Sequence, residues 1–585
     1  MAFLRNLLAT IVGLLVFSIL CIVFFFGFVA LVSRPSKPVV AANSVLYMNL
    51  DQPILEQSRE DPLAELELFP NQHSYLGLIN IKKAISKAKT DEKISGIFLN
   101  VSHVMAGSST KKAIRDALLD FKESGKFVIA YSSAMSEGAY YLNSAADQIF
   151  CAPEGGVEFN GLKAEIAFFK GLFDKLGIEP EVFRVGKFKS AIEPFILTEM
   201  SEANRLQTSS FLESLNEIYL KEIAASRKKK YEEIKDISDN MLIRSIGDGV
   251  NLGMLDGAKY YDEVLDILKE KTGTEEGKKL KSISLQDYIS AVSGNKKRKK
   301  DRIAVIVAQG EIVQGKSRDG KIGDKSLAQL LRKVRDNDKI KAVVLRVNSP
   351  GGSALASDNI WREVQRVKEK KPIIASMSDL AASGGYYISM GCDTIVAQPN
   401  TLTGSIGIFG LMFNPHKFLS EKIGITASTV KTGEYSDLGN PFRKMTQSER
   451  NIIQKQVEHG YETFTSKAAV GRHLALDRLL EVAEGRVWTG EQAQKIGLVD
   501  VLGNMDDALR IAAEKASLEE GNYSLTVYPK PKSVFEELMS NYSQGLESRI
   551  LGDKFKDYMP LIHKLEEAKS YEGINARLPY KLVIE

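Results

Sequence analysis

A serine and a lysine in this 585-residue chain stand in complementary gaps of an internal repeat. The stretch from Lys126, KFVIAYSSAMSEGAYYLNSAADQIFCAP, returns from Lys371 as KPIIASMSDLAASGGYYISMGCDTIVAQP, with Gly138 on Gly384 at an offset of 246 (384 − 138). Ser383 then faces Glu137. Further on, RVGKFKSAIEPF from Arg184 matches VKTGEYSDLGNPF from Val430 at an offset of 247 (433 − 186), so Lys189 faces Ser436. One copy keeps a hydroxyl able to attack a carbonyl, the other an amine able to take its proton. Such a division is expected if one active site is assembled between the halves, and its chemistry is that of a serine–lysine hydrolase.

A lysine in water has a pKa of about 10.4 and is protonated at neutral pH. Burial penalises the ammonium, so a lysine in an apolar wall becomes a usable base. Lys189 lies between Phe188 and SAIEPF, which can supply that wall. Lys187, two residues earlier, would share its face in a strand, and spacing alone does not separate the two. Ser383 lies in AASGGYY (Ala381–Tyr387), after the apolar run PIIASM. Small neighbours permit a sharp turn there, and the helix start offers unpaired N–H groups to a developing oxyanion, that of Gly384 first. A second donor is expected from NSPGGS (Asn348–Ser353), where Gly351 and Gly352 present N–H groups without side chains; the first copy has Met105 and Ala106 there. Ser405, in TGSIG (Thr403–Gly407), reads by type as a turn serine, yet a hydroxyl beside a neutral lysine would orient its hydrogens. None of the six histidines falls in a repeat-matched position beside an obvious acid or nucleophile, and there is no HExxH or GxxxxGK[ST] run, so neither a metal nor a nucleotide cofactor is expected.

The elements that must hold these residues alternate. Each copy runs from a helical segment (from Ile81; from Leu327) into a short apolar strand, a helix, a second strand and the turn, which predicts an α/β fold with largely parallel pairing. With 78 basic and 74 acidic residues, a net charge of +4, the chain is not expected to bind nucleic acid. Cys21, Cys151 and Cys392 form no disulfide framework. After a flank at 1–6, Leu7–Val32 holds no charge, and as a helix its length of roughly 39 Å would span a bilayer as an anchor. A tether follows at 33–43, the first repeat at 44–293, a basic linker at 294–300 containing KKRKK, the second repeat at 301–512 and an extension at 513–585 without visible counterpart.

RVGKFKSAIEPF, NSPGGS, AASGGYY and TGSIG in this order, behind one apolar segment, closely resemble the signal peptide peptidase A (protease IV) family in its long two-repeat bacterial form. The resemblance implies tandem Clp protease/crotonase-like domains, a homotetrameric bowl, and soluble domains outside the cytoplasmic membrane, periplasmic where two membranes exist. It implies Ser383 as nucleophile, Lys189 rather than Lys187 as base, Ser405 as its assistant, and peptide substrates, chiefly signal peptides already released. Two other readings remain at this stage: a crotonase-type acyl-CoA enzyme, whose fold also builds an oxyanion hole from such N–H groups, and a non-catalytic membrane scaffold.

Overall fold

The computed structural model describes residues 2–32, 38–58, 75–292, 299–318, 320–530, 571 and 573–578. Residues 33–37 of the expected tether, 294–298 of the basic linker and 531–570, 572 and 579–585 of the expected extension lie outside them.

Each repeat is built on one sheet. In the first, Gln148–Val157, Phe127–Met135, Ile94–Asn100 and Ser44–Met48 lie side by side in parallel, edged by Gly257–Ala258 and Ser282–Ser284. The second sheet carries the same series as Ile373–Ala382, Ile340–Ser349 and Asp301–Gln309, with Val305 beside Val344 and Val344 beside Ile374. Its edge, Tyr523–Tyr528, comes from beyond residue 512 and takes beside Asp301–Gln309 the place Ser282–Ser284 has beside Ser44–Met48. Parallel strands covered on both faces read as unbroken apolar runs. Accordingly, in IAVIVA Ile303 and Val305 pack towards the helix Met505–Lys515, while Ala304 and Ile306 enter the opposite core.

Two 26-residue helices, Glu202–Arg227 and Gln447–Arg472, are repeat mates with mate-like ends. Ser201 and Thr446 cap their N-termini through side-chain oxygens, and both chains leave through left-handed residues, Lys228 and His473.

A third sheet joins the halves. Its strand order is Lys321–Gly323, Glu311–Val313, Gly351–Ser353, Gly573–Arg577, Phe409–Asn414 and Glu179–Arg184. The last of these is an arm from the first repeat, antiparallel to Phe409–Asn414 of the second with Phe409 opposite Arg184 and Asn414 opposite Glu179. The fourth is the tail of the chain, inserted between two strands of the second repeat.

Ala2–Val32 forms one helix. Its side chains are described only in part, and among the described residues no helix is long and apolar enough to cross a membrane.

Candidate active site

The strand Ile373–Ala382 delivers Ser383 into a turn that few side chains tolerate: φ is +56° and ψ −112°. Strain of this kind persists where the surroundings over-determine it. The Ser383 N–H donates to Gly404 O (2.8 Å), and Tyr387 N–H donates to Ser383 O (2.8 Å), so the residue is clamped from both sides. Its hydroxyl does not cap the helix that follows, Gly384–Ser389, and is left for other chemistry.

The arm brings the lysine. Beyond Glu179–Arg184 the chain turns over the second repeat and sets Lys189 Nζ 2.8 Å from Ser383 Oγ, 3.0 Å from Ser405 Oγ and 3.1 Å from Ser405 O. Lys189, Ser383 and Ser405 are fully buried. Among the described residues no carboxylate pairs with Lys189, and burial pushes its pKa well below the ordinary lysine value. The same contacts suit a neutral amine, which would give two hydrogens to the Ser405 oxygens and keep a lone pair for the Ser383 hydroxyl. Lys187 is elsewhere, two-thirds exposed and 3.8 Å from Glu484. Ser436, the repeat mate of Lys189, lies in an exposed turn and donates to Gly433 O.

Several residues that hold the lysine are not apparent as site residues in the sequence. Gly485, at φ +81°, lies against Lys189 so closely that a Cβ would fall 2.8 Å from its backbone nitrogen, Cα and Cβ. Gln207, fully buried, donates to Phe188 O (3.0 Å) and Ser190 Oγ (2.8 Å), and its Oε1 accepts from Val487 N (3.2 Å). Glu193 of the EPF run accepts from Ser201 Oγ (2.6 Å) and Asn204 Nδ2 (2.9 Å), which fixes the lysine loop to the capped end of its long helix. No sequence periodicity marks these contacts, because each partner comes from a different element.

The glycine pair lies beside Ser383. Gly351 (φ +99°) and Gly352 (φ +154°) could carry no side chain: a Cβ would come within 2.1 Å of Ala576 O at the first and 2.0 Å of Ile312 O at the second. A Cβ on Gly351 would also lie 2.7 Å from Gly384 N, so glycine loop and helix start form one surface. The tail strand lies on it. Gly352 is opposite Ala576, Leu578 N donates to Pro350 O (2.7 Å), and Leu578 is buried among Phe211, Leu215, Ala382, Leu402 and Val487.

The strands that end in this site are tied to the first repeat by a buried ion pair. Arg346 donates to Glu56 (2.9 and 3.2 Å), Ser376 Oγ (3.0 Å), Met377 O (3.0 Å) and Ser378 Oγ (2.9 Å). Asp379 accepts from Thr110 N (2.8 Å) and Thr110 Oγ1 (2.7 Å), where the first repeat's helix Ser108–Lys122 begins. Among the described residues no cluster of His, Cys, Asp and Glu suited to a metal ion occurs.

Residues 120–275 and 365–519 each match peptidase family S49, and residues 294–403 match the Clp protease family. A chloroplastic serine protease SPPA of Arabidopsis thaliana is 35% identical over 552 residues, covering 92% of this chain and 78% of that one. Protease 4 of Haemophilus influenzae is 33% identical over 567 residues, covering 90% of each, and Protease 4 of Salmonella typhi is 35% identical over 494 residues, covering 81% and 77%. The two sheets are therefore tandem α/β domains of Clp-protease type, the acyl-CoA and scaffold readings fall away, and the chain belongs to peptidase family S49 as a two-repeat serine protease of the SppA type.

Proposed function

We propose that this protease is a membrane-anchored endopeptidase that cleaves hydrophobic peptides, chiefly released signal peptides, through a Ser383–Lys189 dyad. The observation that carries the dyad is the 2.8 Å approach of a fully buried, charge-unpaired Lys189 to a strained Ser383. Neutral Lys189 takes the hydroxyl proton as Ser383 Oγ attacks the peptide carbonyl. The oxyanion is held by the N–H groups of Gly384 and Gly352. The Lys189 ammonium returns its proton to the leaving amine, and the amine then activates a water that clears the acyl-enzyme. Ser405 orients Lys189 without recharging it. No step calls for a metal or a nucleotide.

The tail supports an extended peptide as substrate, since the chain lays its own strand in the groove, with main-chain pairing to Gly351–Ser353 and an apolar side chain in a pocket. The relative from Enterococcus faecium, a putative signal peptide peptidase SppA 35% identical over 232 residues, supports the substrate class. The uncharged run Leu7–Val32 and its helical backbone support an anchor in the cytoplasmic membrane, with the soluble domains on its outer face. We further propose a homotetramer with its active sites facing an enclosed space.

The test is covalent labelling. A fluorophosphonate should modify Ser383, and Lys189→Ala should abolish both labelling and peptide cleavage while circular dichroism stays unchanged. Full cleavage by Ser383→Ala would overturn the dyad. Equal cleavage of a folded protein and its denatured form would overturn the enclosed space.

A further inference from the structure

The tail strand shows which way an extended chain leaves the groove beside Ser383. It runs antiparallel to Gly351–Ser353, puts Ala576 opposite Gly352 and continues to Leu578, whose pocket is walled on one side by Leu162 of the first repeat. Leu162 packs equally against the first repeat's own core. Chain on the C-terminal side of that pocket is therefore led to the first repeat, beside the segment Asn160–Gly161 whose N–H groups hold Glu137.

The group standing there is a cation. Lys111 is the mate of Ser357 at an offset of 246 (357 − 111), each being the fourth residue of its helix, Ser108–Lys122 and Ala354–Lys368. In the second repeat a Cβ on Gly384 would lie 2.6 Å from Ser357 Oγ and 3.0 Å from Ala576 O, so a peptide carbonyl oxygen borders the space before that glycine. In the first repeat a Cβ on the mate, Gly138, would lie 2.7 Å from Lys111 Nζ. An ammonium thus stands where the second repeat meets a peptide oxygen. Lys111 is 4% exposed, and among the described residues its Nζ has neither a hydrogen bond nor an ion pair, only the ring of Tyr219 at 5.8 Å. A buried charge left in that state is costly. Two neighbours share the deficit: Tyr219 Oη and Ser238 Oγ, the latter 3.8 Å from the place of a Gly161 Cβ, are buried without partners among the described residues. Glu137 does not make up for it. Its Oε2 is taken by the N–H groups of Asn160 and Gly161, and burial pushes its pKa up to about 7.

We infer that Lys111 anchors the free C-terminal carboxylate of a peptide whose upstream part lies in the groove beside Ser383. A carboxylate brings the negative charge that the ammonium lacks and accepts charge-assisted hydrogen bonds from it. Such an end exists on a peptide already released from its precursor and is missing from the same sequence still joined to one, so the first repeat selects for released chains. In this way the degenerate copy of the site keeps a binding task after losing the hydroxyl. The inference rests on the peptide substrates proposed above and is independent of the dyad.

The test uses the full-length chain in detergent, carrying Ser383→Ala, and a fluorescent Leu/Ala peptide whose mass is checked after each titration. By anisotropy the free acid should bind roughly tenfold tighter than its C-terminal amide. Lys111→Met, close in volume, should bring the acid down to the amide's affinity and leave the amide's own affinity unchanged. A benzophenone on the penultimate residue of the acid should cross-link to the first repeat, within 102–111 or 158–167, a readout that needs no variant at Lys111. Equal binding of acid and amide, an acid preference that survives Lys111→Met, or cross-links confined to the second repeat would overturn the site and leave the peptide reading standing. An amidated peptide ending in glutamate that binds as tightly as the free acid would overturn recognition of the chain end. Binding of neither peptide would overturn this site together with the peptide reading.

Discussion

The two repeats share a scaffold almost bond for bond and part company at one turn. Tyr140 donates to Met254 O (2.8 Å) as Tyr386 does to Leu498 O (3.0 Å); Arg227 grips Asp256 and Gly253 O as Arg472 grips Asp500 and Gly497 O. At the strand-to-helix turn the likeness ends. Ser136 is an ordinary N-cap at φ −67°, its hydroxyl accepting from Ala139 N, whereas Ser383 sits at φ +56° and leaves its helix uncapped. Glu137, the mate of Ser383, turns its carboxylate onto the N–H groups of Asn160 and Gly161, the mates of Ile406 and Gly407 beside Lys189. Burial there pushes its pKa up to about 7. The scaffold therefore does not require the strained turn; strain is kept where the hydroxyl leaves the helix uncapped and faces Lys189, and the other copy fills the hollow with a carboxyl group.

The sharpest way to break this comparison is to remove the reacting groups. Ser383→Ala or Lys189→Ala should lower kcat/KM by roughly 10⁴-fold, and Glu137→Ala by less than about tenfold. Comparable losses in all three would mean the first repeat's turn also takes part. In the wild type, kcat/KM should fall about tenfold per pH unit once pH drops below the lowered pKa of Lys189, because the ammonium cannot accept a proton. Glu137→Gln should leave that limb in place.

Glu137 should report through stability instead. Its carboxyl is protonated in both folded and unfolded chains well below its ordinary value of 4.5, but between there and about 7 only the unfolded chain releases the proton. Stability should therefore fall as pH rises through that window, by on the order of 3 kcal/mol. Denaturant melts of Glu137→Gln should lack this slope, and an unchanged slope would place the titration elsewhere. Smaller again, Gly485→Ala should push Lys189 off its partner and cost kcat roughly tenfold to a hundredfold with KM little altered; a rise in KM alone would mean the loop contacts substrate. Smallest, truncation after Ser570 should clear the tail from the groove and raise kcat/KM for short peptides several-fold, an effect with no parallel in the first repeat. Unchanged turnover would mean that substrate takes another path.

Much of this contrast is legible in the sequence, because duplication turns each missing residue into a signal. The gap opposite Ser383 and the gap opposite Lys189 are visible without coordinates, and so are alternating helices and strands. Choosing Lys189 over Lys187 is not legible from spacing, since the chain between Arg184 and Ser190 is no regular strand and does not keep both on one face. Nor are Gly485 and Gln207, whose contacts join segments hundreds of residues apart. Tyr523–Tyr528 and Gly573–Arg577 escape for another reason: the first is an edge strand that buries Tyr528 alone and the second buries only Asn575 and Ala576, so neither has the long apolar run of Ile340–Ser349.

Lys189 and Ser383 are separated by 194 residues of chain and meet only where the arm crosses from one domain to the other. While the polypeptide is being made, the lysine emerges first, wet and cationic, with no alcohol to activate; the serine arrives later on a strand whose turn is not yet clamped. On the proposed dyad, neither fragment alone could cut its neighbours. Hydrolytic power on that dyad would wait on the docking of the arm against the second repeat, and a copy truncated before that step would be inert without any inhibitor.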